Sequence, residues 1–169
     1  MAEIRAGAKA GLLAGLVYAS VEAAVVVTLL MAFKSRILAL ITPELPPGTS
    51  VGADYNLIVA TDAVIAVLFG ITAGLLLGLV VGEISSKIPG KRYVEKGLVL
   101  GLVLWLVLHV LADYVANLKF GVNFYLVDIG LGLVTSLVFG ALLGIFFERE
   151  LKRRSPIDGA TGLSANGPG

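Results

Sequence analysis

Four stretches of the chain are apolar at nearly every position, with neither the alternation of a half-buried strand nor the single stripe of a soluble amphipathic helix. They run from Ala10 to Phe33, Leu57 to Gly82, Gly97 to Leu118 and Phe124 to Phe147. A helix needs about 20 mostly apolar residues to cross the hydrocarbon of a bilayer, and each stretch is of that length. The pattern predicts an all-α integral membrane protein whose membrane domain, residues 1–154, holds four transmembrane helices. The first stretch is too long for a signal-peptide core and lacks a small-residue cleavage site after it, so it reads as a retained span.

Polar segments divide the spans. In the long loop 34–56, ILALIT either extends the first helix or lies at the interface, and Pro43, Pro46 and Pro47 then stop any helix. The tail 155–169, SPIDGATGLSANGPG, has too few apolar residues to pack and reads as disordered.

The spans also repeat. KAGLLAGLV from Lys9 lies over KGLVLGLV from Lys96, so that at a shift of 86 Gly11 meets Gly97 and Gly15 meets Gly101. At a shift of 66, Asp62 meets Asp128, Gly74 meets Gly140 and Gly78 meets Gly144. The chain thus reads as two tandem helical hairpins, parallel repeats about an axis along the membrane normal. Gly11, Gly15, Gly70, Gly74, Gly78, Gly97, Gly101, Gly140 and Gly144 have the small-xxx-small spacing that lets backbones approach in lipid, and are assigned to helix packing within or between chains.

Charge orients the spans. Of 13 Lys and Arg, ten flank the termini or sit between the second and third spans: Arg5, Lys9, Lys87, Lys91, Arg92, Lys96, Arg149, Lys152, Arg153 and Arg154. Lys34, Arg36 and Lys119 fall on the other side. Because cytoplasmic loops carry the excess of basic residues, the expectation is a multi-pass plasma-membrane protein with both termini cytoplasmic.

Composition sharpens this. With 57% apolar and 15% charged residues and a mean hydropathy of +0.95, the chain is far from soluble averages. The absence of cysteine excludes disulfides and thiol chemistry. Cysteine and glutamine are both missing, which resembles hyperthermophile composition. Nothing supports nucleic-acid binding.

Candidate chemistry lies in the few polar residues within the spans. Glu22 is near the middle of the first, where a charge costs about 2.5–3.5 kcal/mol on insertion scales and so faces protein or a water-filled cavity. Gly11, Gly15, Tyr18 and Glu22 follow helical steps, which puts Glu22 on the glycine face. His109 and Asp113, spaced i to i+4, share a face and make a ladder from mid-membrane outward. Asp62 and Asp128 belong to the outer parts of their helices. Glu22, His109, Asp113, Asp62 and Asp128 therefore all fall in the outer half and form a candidate proton- or cation-binding cluster open to the exterior. The competing structural reading has Asp62 and Asp128 near helix N-termini, capped by Asn56 and Asn123, where the macrodipole favours an anion. The repeat does not pair Glu22 with His109: Glu22 falls opposite Leu108, about 100° away on the helix wheel.

No phosphate-binding loop, zinc-binding pair of histidines or nucleophile elbow is present, and one histidine is a poor start for a metal site. No cofactor and no resident metal are expected. In plan the chain resembles the small multidrug resistance transporters, four-span proteins with a membrane-embedded Glu in the first helix, a role that maps here onto Glu22. Its charge bias, duplicated hairpin and long outer loop set it apart from their dual-topology arrangement. The leading expectation is a non-enzymatic oligomeric or accessory membrane subunit with a titratable polar cluster. The alternatives are a small proton- or cation-coupled transporter using Glu22 with His109 and Asp113, and an intramembrane metal-dependent enzyme.

Overall fold

In a computed structural model the described residues are 2–44, 48 and 51–154. Among them are four helices long and apolar enough to cross a membrane: Glu3–Ala32, Asp54–Ile84, Tyr93–Ala112 and Val122–Arg153. The full elements are α1 (Ala2–Ala32), α2 (Lys34–Ile41), α3 (Val51–Ile84), α4 (Tyr93–Trp105), a π segment (Leu106–Ala112), α5 (Asp113–Leu118) and α6 (Val122–Arg154). The tail from Ser155 onward, and Pro46 and Pro47 of the loop, lie outside the described residues.

Each break has a local cause. At Phe33 the backbone leaves helical geometry (φ −101°, ψ 13°), and ILALI resumes as α2. Pro43 then falls in a single 3₁₀ turn, Thr42–Glu44, that ends the helix. Between α3 and α4 the carboxylate of Glu95 reaches back to accept from the Lys91 backbone N–H at 2.6 Å and from that of Arg92 at 3.4 Å, the acidic half of a capping box. Before α6, Gly121 takes φ +101° with the Arg36 guanidinium packed on it, a backbone setting that L side chains rarely adopt.

The spans extend beyond the apolar stretches, and this corrects the capping expectation. α3 begins at Val51, so Asn56 lies inside the helix and Asp62 about three turns in, beyond the reach of the N-terminal dipole. Asn123 is the second residue of α6 and does not occupy the cap position either.

Packing follows the small residues. α1 lies against α3 with Gly7, Gly11, Gly15 and Ala19 facing Gly82, Gly78, Gly74 and Gly70, and a Cβ at any of these glycines would run into opposing backbone. α4 lies against α6 through Gly97 and Gly101 on Gly140, Gly144 and Ser136. The two hairpins match in detail: Gly11 sits over Gly74 as Gly97 sits over Gly140, and Gly15 over Gly70 as Gly101 over Ser136. These glycines are thus used between helices of one chain.

α1 also packs on α6. Here the fully buried Ala6, Ala10 and Ala14 share a core with Tyr18, Leu104, Phe139, Leu143 and Phe147, and the rings of Tyr18 and Phe139 are 5.3 Å apart. α3 makes no more than marginal contact with α4, the π segment, α5 or α6. The packing order is therefore α3, α1, α6, α4, with the α3 side unclosed. Leu and Val cover the outward faces, among them Leu57, Leu68 and Leu111, each more than 60% exposed, as a surface meant for acyl chains would be.

Candidate functional site

Exact four-residue steps lead from the packed end of the bundle to its polar end. On α1 the stripe is Ala6, Ala10, Ala14, Tyr18, Glu22. On α3 it is Gly82, Gly78, Gly74, Gly70, Ala66, Asp62, and on α6 it is Gly144, Gly140, Ser136, Gly132, Asp128. Small residues hold the backbones together over the first turns. Further along, bulkier side chains part the helices, and each stripe arrives at an acid. At 100° per residue Glu22 lies within about 20° of both Gly11 and Gly15, and it lines one cavity together with Tyr18 of its own helix and Asp62 and Ala66 of α3.

Where the helices part they enclose a cavity of about 560 Å³ whose walls include Glu22, Asp62, His109, Asn117 and Asp128. Glu22, His109 and Asp128 are each less than 10% exposed. Asp128 is the centre of the contacts: its Oδ2 accepts from Asn117 Nδ2 at 2.9 Å and lies 3.8 Å from His109 Nδ1. The imidazole rests on Gly132, where a Cβ would come within 2.5 Å of Nδ1. The rest of the lining is almost wholly apolar, including Tyr18, Leu29, Ile65, Phe69 and Phe124.

His109 is carried by the π segment, and the interruption is braced on both sides. The Trp105 indole N–H donates to the Ile129 carbonyl at 3.0 Å, and the Tyr125 hydroxyl donates to the Val110 carbonyl, within the π segment, at 3.0 Å. A π turn closes i→i+5 bonds and so takes up one residue more than an α turn. The helix beyond it is rotated by about 100°, the angle of one residue. Within this segment Leu108, the repeat counterpart of Glu22, and His109 both line the cavity that Glu22 lines.

Of the five sequence-predicted residues, Glu22, Asp62, His109 and Asp128 are brought together. Asp113 opens α5, and its side chain lies outside the described residues. Asn117 and Gly132 were not anticipated. Both were within reach, Asn117 two i+4 steps beyond His109 and Gly132 one beyond Asp128. The π segment had no signal in the sequence.

Chemically, the cavity sets three carboxyl groups against one imidazole, with no Lys or Arg among its lining residues. Carboxyl groups in so apolar a setting need hydrogen-bonding or charged partners. Among the described residues no three His, Cys, Asp or Glu are placed to hold a metal ion. The chain belongs to a family of unknown function, DUF6789, whose pattern matches residues 1–157. No curated protein and no solved structure matches it significantly.

Proposed function

We propose that this member of the family is a non-enzymatic multi-pass protein of the plasma membrane, termini in the cytoplasm, that exchanges protons for a cation at its buried acidic cavity. Glu22 is the central exchanging group, Asp62 and Asp128 share the charge, and His109 with Asp113 mark the outward end of the site. The observation that carries this reading is the convergence of Glu22, Asp62, His109 and Asp128 on one cavity with no Lys or Arg among its lining residues. In such a place a bound cation and a set of protons compete for the same carboxylates.

The equivalent glycine contacts of the two hairpins support an origin by duplication of one hairpin, with Asp62 and Asp128 as counterparts. With those glycines used within the chain, association with a second copy or another membrane subunit, the more passive role, would fall to the Leu and Val surface.

The test is proton flux in pyranine-loaded proteoliposomes bearing a pH gradient, with sodium or a quaternary ammonium as the opposing cation. Cation-dependent flux is expected from the wild type and none from Glu22→Gln, with the melting temperature of both proteins measured as a control for folding. Equal flux from a folded Glu22→Gln variant eliminates the proposal.

A further inference from the structure

The last two turns of α6 carry cations that the packing of the bundle does not use. Below them Val127, Leu131, Val134, Val138 and Ile145 are each at least 36% exposed. At 100° per residue they fall within about 60° of one another, one apolar stripe on the side of the helix away from the buried Phe139, Leu143 and Phe147. From Val127 to Ile145 the stripe is about 27 Å long, close to the roughly 30 Å of a bilayer's hydrocarbon. Arg149 and Lys152 continue it by the same helical steps, with Arg149 about 6 Å past Ile145. The headgroup layer on each side of the hydrocarbon is about 5–7 Å deep, so Arg149 stands at the level of the lipid phosphates. Ile145, Glu148, Arg149, Lys152 and Arg153 line a shallow recess there, apolar on the membrane side and charged beyond it. The charges are unequally engaged. Lys152 Nζ meets Glu148 Oε1 at 2.6 Å and Arg153 Nη1 meets Glu150 Oε1 at 3.3 Å, but these two cationic side chains are 75% and 60% exposed. Ion pairs so open contribute little, and either cation can turn to an incoming anion. Arg149 is exposed and forms no ion pair among the described residues. Two carboxylates against three cations leave one positive charge uncompensated.

We propose that α6 seats one anionic phospholipid, its phosphate on Arg149 between Lys152 and Arg153 and an acyl chain along Ile145 and Val138. Cations near the end of a helix also complement its macrodipole, which accounts for their sign. It does not account for their place in line with an apolar stripe of membrane length, since a cation on any face of the last turn serves the dipole equally. A guanidinium donates two parallel N–H bonds to phosphate oxygens, a fork that an ammonium lacks, so Arg149 is the anchor and its neighbours add charge. The surplus of one positive charge matches a phosphodiester headgroup with no amine of its own, such as phosphoglycerol, rather than a phosphocholine whose net charge is zero. The seat shares no lining residue with the acidic cavity, and its occupancy is independent of any exchange there.

The probes are phosphatidylglycerol and phosphatidylcholine with the same acyl chains, offered to the full chain in detergent and counted by native mass spectrometry. One phosphatidylglycerol per chain is expected, bound about tenfold or more tightly than phosphatidylcholine. General attraction to a basic surface is worth about fivefold per cation wherever that cation stands. Arg149→Ala and Lys87→Ala each remove one exposed charge at the same end of the bundle, and so separate a seat from a field. Arg149→Ala should weaken phosphatidylglycerol by about twentyfold or more and Lys87→Ala by no more than about fivefold, with the melting temperature in lipid-free detergent unchanged in both. Arg149→Lys, which keeps the charge and loses the fork, should fall between wild type and Arg149→Ala. Equal losses from Arg149→Ala and Lys87→Ala overturn the proposal, as does equal binding of the two lipids or binding of neither. Glycerol 3-phosphate displacing the lipid at equal concentration overturns it as well, because the recess would then hold a free phosphate ester and the apolar stripe would play no part.

Discussion

Replacing Gly74 with alanine sets two opposed effects against each other, and the structure decides which wins. Alanine is the better helix former by about 1 kcal/mol, so at an open helical position the change stabilises. At Gly74 a Cβ would overlap the Gly15 Cα and stand 2.6 Å from the Gly11 carbonyl oxygen and 2.9 Å from the Gly15 amide nitrogen. Carbon needs about 3.5 Å, so α1 and α3 must part by roughly 1 Å. The opposing atoms are backbone, and no rotamer change relieves them. Overpacking of this kind costs about 1–3 kcal/mol, toward the upper end here because the displaced unit is a whole helix. The net loss is about 1–2 kcal/mol, or roughly 2–8 °C in melting temperature for a chain of this size. Gly130 is the control: it too lies in a transmembrane helix, and nothing stands within 4 Å of a Cβ there. Gly130→Ala should therefore be neutral or slightly stabilising. Both variants can be melted in mild detergent and followed by circular dichroism. If Gly74→Ala melts at or above the temperature of Gly130→Ala, close backbone packing through the glycine stripe is not what joins these helices.

Further outcomes follow from the site. Besides the loss of flux expected of Glu22→Gln, Gly132→Ala should push the imidazole of His109 off its seat and away from Asp128. The ¹⁵N resonances of the single histidine should then shift and flux should fall while the melting temperature changes little; unmoved resonances would refute the seating argument. Tyr125→Phe removes the donor to Val110 and should cost about 0.5–1.5 kcal/mol, concentrated in the π segment. Amide exchange over 106–112 should quicken relative to the rest of the helix, and uniform exchange would show that the hydroxyl does not brace the π turn.

The amino-acid sequence by itself determined the helical class, the four spans, and the stripes on which glycines and acids lie. Lipid imposes those features locally: a segment must satisfy its own backbone and hide its few charges, and both demands are written in composition and spacing. The shared register of Gly11 with Gly97 and of Asp62 with Asp128 was legible in the same way. The sequence put Asp62 near a cap, because apolar length understates where a helix begins.

Only the tertiary structure decided that α3 would lean on α1, that a π turn would carry His109, and that Leu29, Leu30, Ile37, Tyr55 and Phe124 would form a second buried cluster. These depend on how helices distant in sequence share space. An i→i+5 bond differs from an i→i+4 bond by one residue's worth of rotation, and the hydrogen bonds from Trp105 to Ile129 and from Tyr125 to Val110 tie the π-bearing helix to α6. The sequence supplied the acids and their spacing, and helix packing brought Glu22, Asp62, His109 and Asp128 to one cavity.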